Sequence, residues 1–369
     1  MVRLFLCGDV MTGRGIDQVL PYPCDPVLYE NYVTSALDYV RLAEAQNGAI
    51  PRPVDPAYIW GAALDEWQRA KPDLRIVNLE TSITRSAQHD DKGINYRMSP
   101  ENAECLTTAG IDCCVLANNH VLDWGRAGLR DTLASLRRLD IMTAGAGRNL
   151  DEASAPAVLV AGKTRVLVFA YALASSGTPR GWAAKPDGAG MNFLHDLSDA
   201  SVARVCEQIV RTRQPGDIAV VSLHWGPNWG YEIPEEQTRF SHALIERGGA
   251  SVVYGHSSHH AKAIEVYRNR LILYGCGDFI DDYEGIEGYE GYRGDLALMY
   301  FADIDPANGE LAAAEIVPLL IERLRLARPS ADDVDWVRET LTRESRRFGT
   351  KVAMTAPGKL ALSWHQNSH

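Results

Sequence analysis

The sequence predicts an α/β fold in which mixed sheets are covered by helices. Three observations predict it. Short, β-branched apolar runs alternate with stretches whose apolar residues recur at helical spacing. Successive runs end in Gly, Asn, Asp or His, as strands do where they deliver side chains into loops. No internal repeat or low-complexity linker divides the 369 residues. One main domain is therefore expected over residues 1–325, with 326–369 as a helical appendage packed on it. In open sheets of this kind ligands sit beyond the carboxyl ends of the strands.

Taken in order, Val2 to Cys7 reads as a buried strand followed by the loop GDVMTGRG. Residues 30–47 and 58–70 carry helical patterns separated by PRPVDP, and Leu74–Leu79 is a strand ending in Glu80 and Thr81. The polar stretch 84–97 is expected as a surface loop, and 100–109 as a helix stopped by Gly110. Ile111 to Leu116 repeats the strand pattern before Asn118, Asn119, His120 and Asp123, and 126–139 is an amphipathic helix. VLVAGKTRVLVFAYAL gives two strands across a GKT turn, and 198–213 a helix. DIAVVSLH and SVVYGH are strands on either side of the helix EEQTRFSHALIERGG, which ends in glycine. RLILYGCGDF, DLALMYFADID and AAAEIVPLLIERLRL are further strands and 331–347 a terminal helix, whereas 351–369 carries little pattern.

The 46% hydrophobic and 23% charged content suits a soluble globular chain with a sizeable core. A net charge of −11 disfavours nucleic acid or an anionic membrane as partner. No apolar run approaches bilayer-spanning length, and the N-terminal MVRLFLCGDVMTG lacks the long apolar region and cleavage site of a signal peptide. The seven cysteines are odd in number and scattered, with no CxxC pair, which predicts reduced, buried thiols in a cytoplasm. The oligomeric state is open at this level.

The residues just past the apolar strands form a constellation: Asp9, Glu80, Asn119, His120, His224, His256 and His259. Any one is an ordinary loop residue. Together, oxygen and imidazole groups from successive strand ends suit a borderline divalent ion such as zinc, manganese or iron.

GDVMTGRG, NLETSIT, ANNHVLDWG, SLHWG and GHSSHH, in that order over roughly residues 3–300, resemble the poly-γ-glutamate capsule synthesis (CapA-like) family, within the calcineurin-like metallophosphoesterase superfamily. The resemblance implies a four-layer α/β/β/α sandwich with mixed sheets and a metal centre at the strand ends. It implies Glu80 as a bridging carboxylate, with Asn119, His224 and His256 completing one site and Asp9 and His259 serving another. It implies His120 as the acid that protonates a leaving group, oriented by Asp123; His260 has no counterpart. The sequence departs from the pattern at Met11, where the superfamily carries a histidine. A thioether binds such ions poorly, so one well-furnished position and one thin one are expected.

Three functions follow as expectations. The first is a metal-dependent enzyme acting on a peptide or amide, most specifically by Cα epimerisation at a peptide end, with His120, Asp123 and His259 moving protons. The second is a dinuclear phosphoester hydrolase, and the third a protein of poly-γ-glutamate capsule synthesis; the substrate is expected to be peptide or polyglutamyl. Arg14, Arg97 and Lys262 are candidate holders of an anionic substrate group. Trp225, Trp229 and Tyr231, next to His224, are candidate aromatic walls. Asp278, Asp281, Asp282 and Glu284 read as a solvated acidic rim. No nucleophile elbow or dinucleotide-binding loop is present in the sequence.

Overall fold

The structure, a computed structural model, describes residues 1–364; residues 365–369 of the anticipated appendage lie outside the described residues. Strands β1 (Val2–Val10), β2 (Leu74–Leu79), β3 (Cys113–Val115) and β4 (Met142–Ala144) lie side by side in parallel. The chain then builds a second sheet from the hairpin β5 (Ala157–Ala161) and β6 (Thr164–Leu173), the parallel strands β7 (Ile218–His224) and β8 (Val252–His256), and the hairpin β9 (Ile264–Tyr267) and β10 (Arg270–Leu273). It returns to the first sheet through β11 (Asp278–Ile280), parallel to the end of β1, and the long antiparallel pair β12 (Leu296–Asp305) and β13 (Glu310–Ile321). A last hairpin, β14 (Thr350–Ala356) and β15 (Lys359–Trp364), pairs through β15 with β13.

The two sheets face each other, and the two-residue period of their strands divides the core. On β6, Val166, Val168, Ala170 and Ala172 point between the sheets with Leu4, Leu6 and Ile76, while Leu167, Phe169, Tyr171 and Leu173 point outward. The outward row packs under the expected helices, here α4 (Asp199–Thr212) and α5 (Glu235–Glu246), through Val202, Cys206, Ile209, Phe240 and Leu244. Among the helices that precede these in the chain, α1 (Ala36–Asn47), α2 (Ala62–Ala70) and α3 (Gly125–Arg138), α2 sets Trp67 edge-on against Phe5 at 5.1 Å. Helices outside two facing mixed sheets make the α/β sandwich that the family resemblance implies, from the helix-covered sheets that the strand–helix alternation predicts. All seven cysteines are buried and unbonded.

Two segments differ from expectation for identifiable reasons. The pattern at 30–47 becomes helical only at Ala36, where the Ser35 side chain accepts from Leu37 N–H at 3.3 Å. Residue 30 is drawn inward instead, its carboxylate 2.9 Å from the Arg14 guanidinium. The segment beyond 325 contains the expected helix, α6 (Ala331–Ser345), capped by Ser330 and Asp333, and then the β14–β15 hairpin that the unpatterned tail did not announce. Ser345 and Thr350 accept from the backbone N–H groups of Ile264 and Val266 at 2.9 and 3.3 Å, so this segment ties the edge of the second sheet to the first.

Candidate metal centre

β1, β2, β3, β7 and β8 all point their carboxyl ends at one spot. Register places Asp9 opposite Asn78 on β2 and Asp278 on β11, and His224 opposite His256. Asp9, Glu80 and His224 are buried and each offers a ligand atom within 4.8 Å of the others. Asn119 Oδ1 lies 2.9 Å from His224 Nε2, and His256 Nδ1 lies 2.8 Å from Asp9 Oδ1. His256 Nε2 is buried with no hydrogen-bond partner, an arrangement that proteins avoid unless something else occupies the nitrogen. Asp9, Glu80 and His224 converging on a buried point, with Asn119 beside His224 and His256 beside Asp9, fit a borderline divalent ion.

The charges of the site agree with that fit. Burial alone would raise the Asp9 carboxyl, but His256 beside it holds it below the ordinary carboxylate range. Burial and the charge of Asp9 push Glu80 well up, so a proton on this acidic pair belongs to Glu80. Burial drives His224 down to about 3, leaving a neutral imidazole able to ligate.

His120 faces the same spot, its Nε2 3.8 Å from Glu80 Oε1, and its ring stacks on Tyr96 at 3.7 Å. Its Nδ1 lies 2.7 Å from Asp123 Oδ2, the orienting contact expected from the sequence. His259 stands apart from the triad: both Asp278 oxygens lie near its Nδ1, at 3.1 and 3.0 Å. Burial would lower the pKa of His259, but Asp278 raises it above its ordinary value. Met11 is buried, its N–H donated to Ile280 O at 2.9 Å. His260 is also buried, its Nε2 accepting from Gly230 N–H at 3.1 Å.

Several expected substrate contacts are committed elsewhere. Arg14 is buried between Glu30 and Asp282, with Tyr39 3.7 Å from its guanidinium carbon. Arg97 donates to the carbonyls of Ser86 and Asp25 and stacks on Trp124 at 3.8 Å. Trp225 belongs to the outer core and donates to Tyr274 O at 3.1 Å, and Lys262 donates to Glu232 O at 2.6 Å. Trp229 does lie beside the site, 5.4 Å from the His259 ring and stacked on Tyr289 at 4.2 Å; Tyr231 packs edge-on against His260. The acidic rim is not solvated: Asp278, Asp281, Asp282 and Glu284 are all buried. Asp282 neutralises Arg14, and Glu284 accepts from the N–H groups of Arg323 and Leu324.

Sequence reasoning missed Asn78, which donates to Asp9 Oδ1 at 2.7 Å, and read Asn118, which donates to Asn78 Oδ1 at 3.1 Å, only as a loop residue. A signal existed, since Asn78 lies two residues before Glu80 at a strand end. Lys92 and Tyr96 come from the 84–97 loop, which carries no such signal.

Comparison with known proteins decides the family. A family model described as bacterial capsule synthesis protein PGA_cap matches residues 3–283. The chain belongs to the PGA_cap family. Within it, a probable polyglutamine synthesis accessory protein of Mycobacterium tuberculosis is 46% identical over 363 residues, covering 98% of this chain and 95% of that protein. The capsule biosynthesis protein CapA of Bacillus anthracis is 26% identical over 202 residues, 54% of this chain and 47% of the relative. The PGA biosynthesis protein CapA of Bacillus subtilis is 27% identical over 207 residues, 56% and 52% respectively. Membership of PGA_cap agrees with the third expectation, capsule synthesis, and nothing in these relatives supports Cα epimerisation. Among the described residues no helix is long and apolar enough to cross a membrane.

Proposed function

We propose that the protein is a metal-dependent enzyme of polyglutamyl-chain synthesis that cleaves or transfers at an amide carbonyl of the chain. The convergence of Asp9, Glu80 and His224 within 4.8 Å carries this reading, and the names of the relatives supply the substrate class. Asn119 and His256 complete the ligand set. A divalent ion bound there supplies a Lewis acid for the carbonyl oxygen and a water of lowered pKa. The chain's own contribution is proton handling. His120 presents Nε2 to the site while Asp123 holds Nδ1, an arrangement that suits Nε2 to take up a proton and pass it to the leaving group. Asn78 and Ser257 N–H, at 2.7 and 3.1 Å, fix the two oxygens of Asp9. Trp229 and Tyr289 wall the His259 side, where an extended chain would lie.

The test is to load the purified protein with zinc or manganese and supply poly-γ-glutamate and short γ-glutamyl peptides. New amino termini or shortened chains are expected, together with loss of turnover in Asp9→Asn and His120→Gln. Turnover of a nitrophenyl phosphate with the glutamyl substrates untouched would replace this reading with phosphoester hydrolysis, and failure to retain any divalent ion would end it.

A further inference from the structure

Lys92 reaches the centre from a loop with no strand or helix of its own. Residues 90–96 form a strap across residues 119–124: Asp90 N–H donates to Asp123 O at 2.7 Å, Asn95 Nδ2 to Asp90 O at 2.9 Å, and Tyr96 N–H to Asp123 Oδ2 at 2.6 Å. The strap is anchored on its far side by Trp182, whose Nε1 donates to Asp90 Oδ2 at 2.6 Å. From its middle Lys92 turns inward, so that only 17% of its side chain is exposed. An ammonium sunk that far must find acceptors, and the ones it finds belong to the candidate site. Nζ lies 2.8 Å from Asp123 Oδ1, donates to the backbone carbonyl of Asn119, and stands 3.2 Å from His120 Nδ1, with the Trp182 ring 5.1 Å away.

Each contact constrains a different part of the machinery. Burial pushes the Asp123 carboxyl up to about 7, and the charge on Nζ beside it works against that rise and favours the ionised form. One Asp123 oxygen is then taken by Lys92, while the other accepts from Tyr96 N–H and faces His120 Nδ1. An ionised Asp123 can only accept, so the proton in its 2.7 Å contact with His120 sits on Nδ1, which leaves Nε2 bare toward Glu80. Meanwhile the bond to Asn119 O fixes the peptide whose side-chain Oδ1 lies 2.9 Å from His224 Nε2.

We infer that Lys92 is a positioning residue that sets the His120 tautomer and aims the Asn119 amide at the ion. The inference rests on the metal-centre reading for Asn119 but not for His120, and the experiment keeps the two apart. Long-range proton–nitrogen spectra of the metal-free protein, with His120 assigned by His120→Gln, report the tautomer directly. Cobalt(II) titration followed by visible absorption reports the ligand geometry. Wild type is expected to show protonated Nδ1 and bare Nε2 at His120. Lys92→Met keeps the aliphatic stem against Trp182 and should lose that tautomer, bind cobalt roughly tenfold or more weakly, and shift its absorption bands. Lys92→Arg, which restores the charge, should recover part of both. A Lys92→Met protein of native circular dichroism whose His120 spectrum is unchanged would overturn the inference. A wild type that takes up no cobalt would overturn the metal centre and the Asn119 half, leaving the spectrum of His120 to decide the rest.

Discussion

Glu80 and Asp9 are two buried carboxylates at one point, and their opposed behaviour would make the proposed metal uptake a proton reaction. Burial and the charge of Asp9 keep the proton on Glu80, so a cation must displace it. Affinity should therefore rise with pH until Glu80 ionises without help. Calorimetric titration with manganese in two buffers of different ionisation heat should show about one proton released per ion. His256→Ala should weaken binding beyond the roughly 10–100-fold that loss of an outer partner costs. His260 titrates in the opposite sense. Burial depresses it to about 4, and its Nε2 must stay unprotonated to accept from Gly230 N–H. The unfolded chain binds that proton first as pH falls, so the stability His260 contributes is present above about pH 6.5 and lost toward pH 4. Urea unfolding at pH 7 and at pH 4.5 should show a loss of about 2–3 kcal/mol that His260→Gln lacks. The difference between these histidines was half visible in the sequence: GHSSHH announces imidazoles at a strand end, but which one faces Asp9, which Asp278 and which a backbone N–H depends on chain segments far away.

At the scale of elements, strand ends were legible because the apolar runs stop where the polar residues begin. Loops were not. Arg14 looked available for a substrate, yet the extended stretch before α1 and the turn after β11 bring Glu30 and Asp282 to it. Such pairings have no local signature, and neither does the strap that carries Lys92. The junction of β1 with the chain before β11 is tighter than the alternating pattern suggests. A Cβ on Gly8 would stand 1.9 Å from Gly277 O, a backbone atom with no freedom to turn aside. Gly8→Ala should part the two segments at the residue before Asp9. The expected outcome is a stability loss of about 1–3 kcal/mol or more in urea unfolding, together with divalent binding reduced far more than that loss explains.

For the molecule as a whole, the chain beyond 325 is integrated rather than appended. It supplies β14 and β15 to the first sheet, while Ser345 and Thr350 hold the backbone of β9 in the second. Ending the chain at residue 325 should expose the edge of β13 and uncover β9, giving a protein that aggregates or unfolds at markedly lower urea, as light scattering and denaturation would show. The helix-covered mixed sheets were readable from strand–helix alternation and their sandwich from the family resemblance; the closing hairpin was not, because a short exposed edge hairpin needs little apolar periodicity. The sealed thiols have a further use. Each of the seven reacts only when its surroundings open, so labelling by a thiol reagent keeps time for local unfolding. Cys7 and Cys276 stand two residues before Asp9 and Asp278, whereas Cys206 lies on α4 in the outer core. A divalent ion should slow the labelling of the first two much more than that of the third, so that occupancy of the centre is read as a change in how often the sheets breathe.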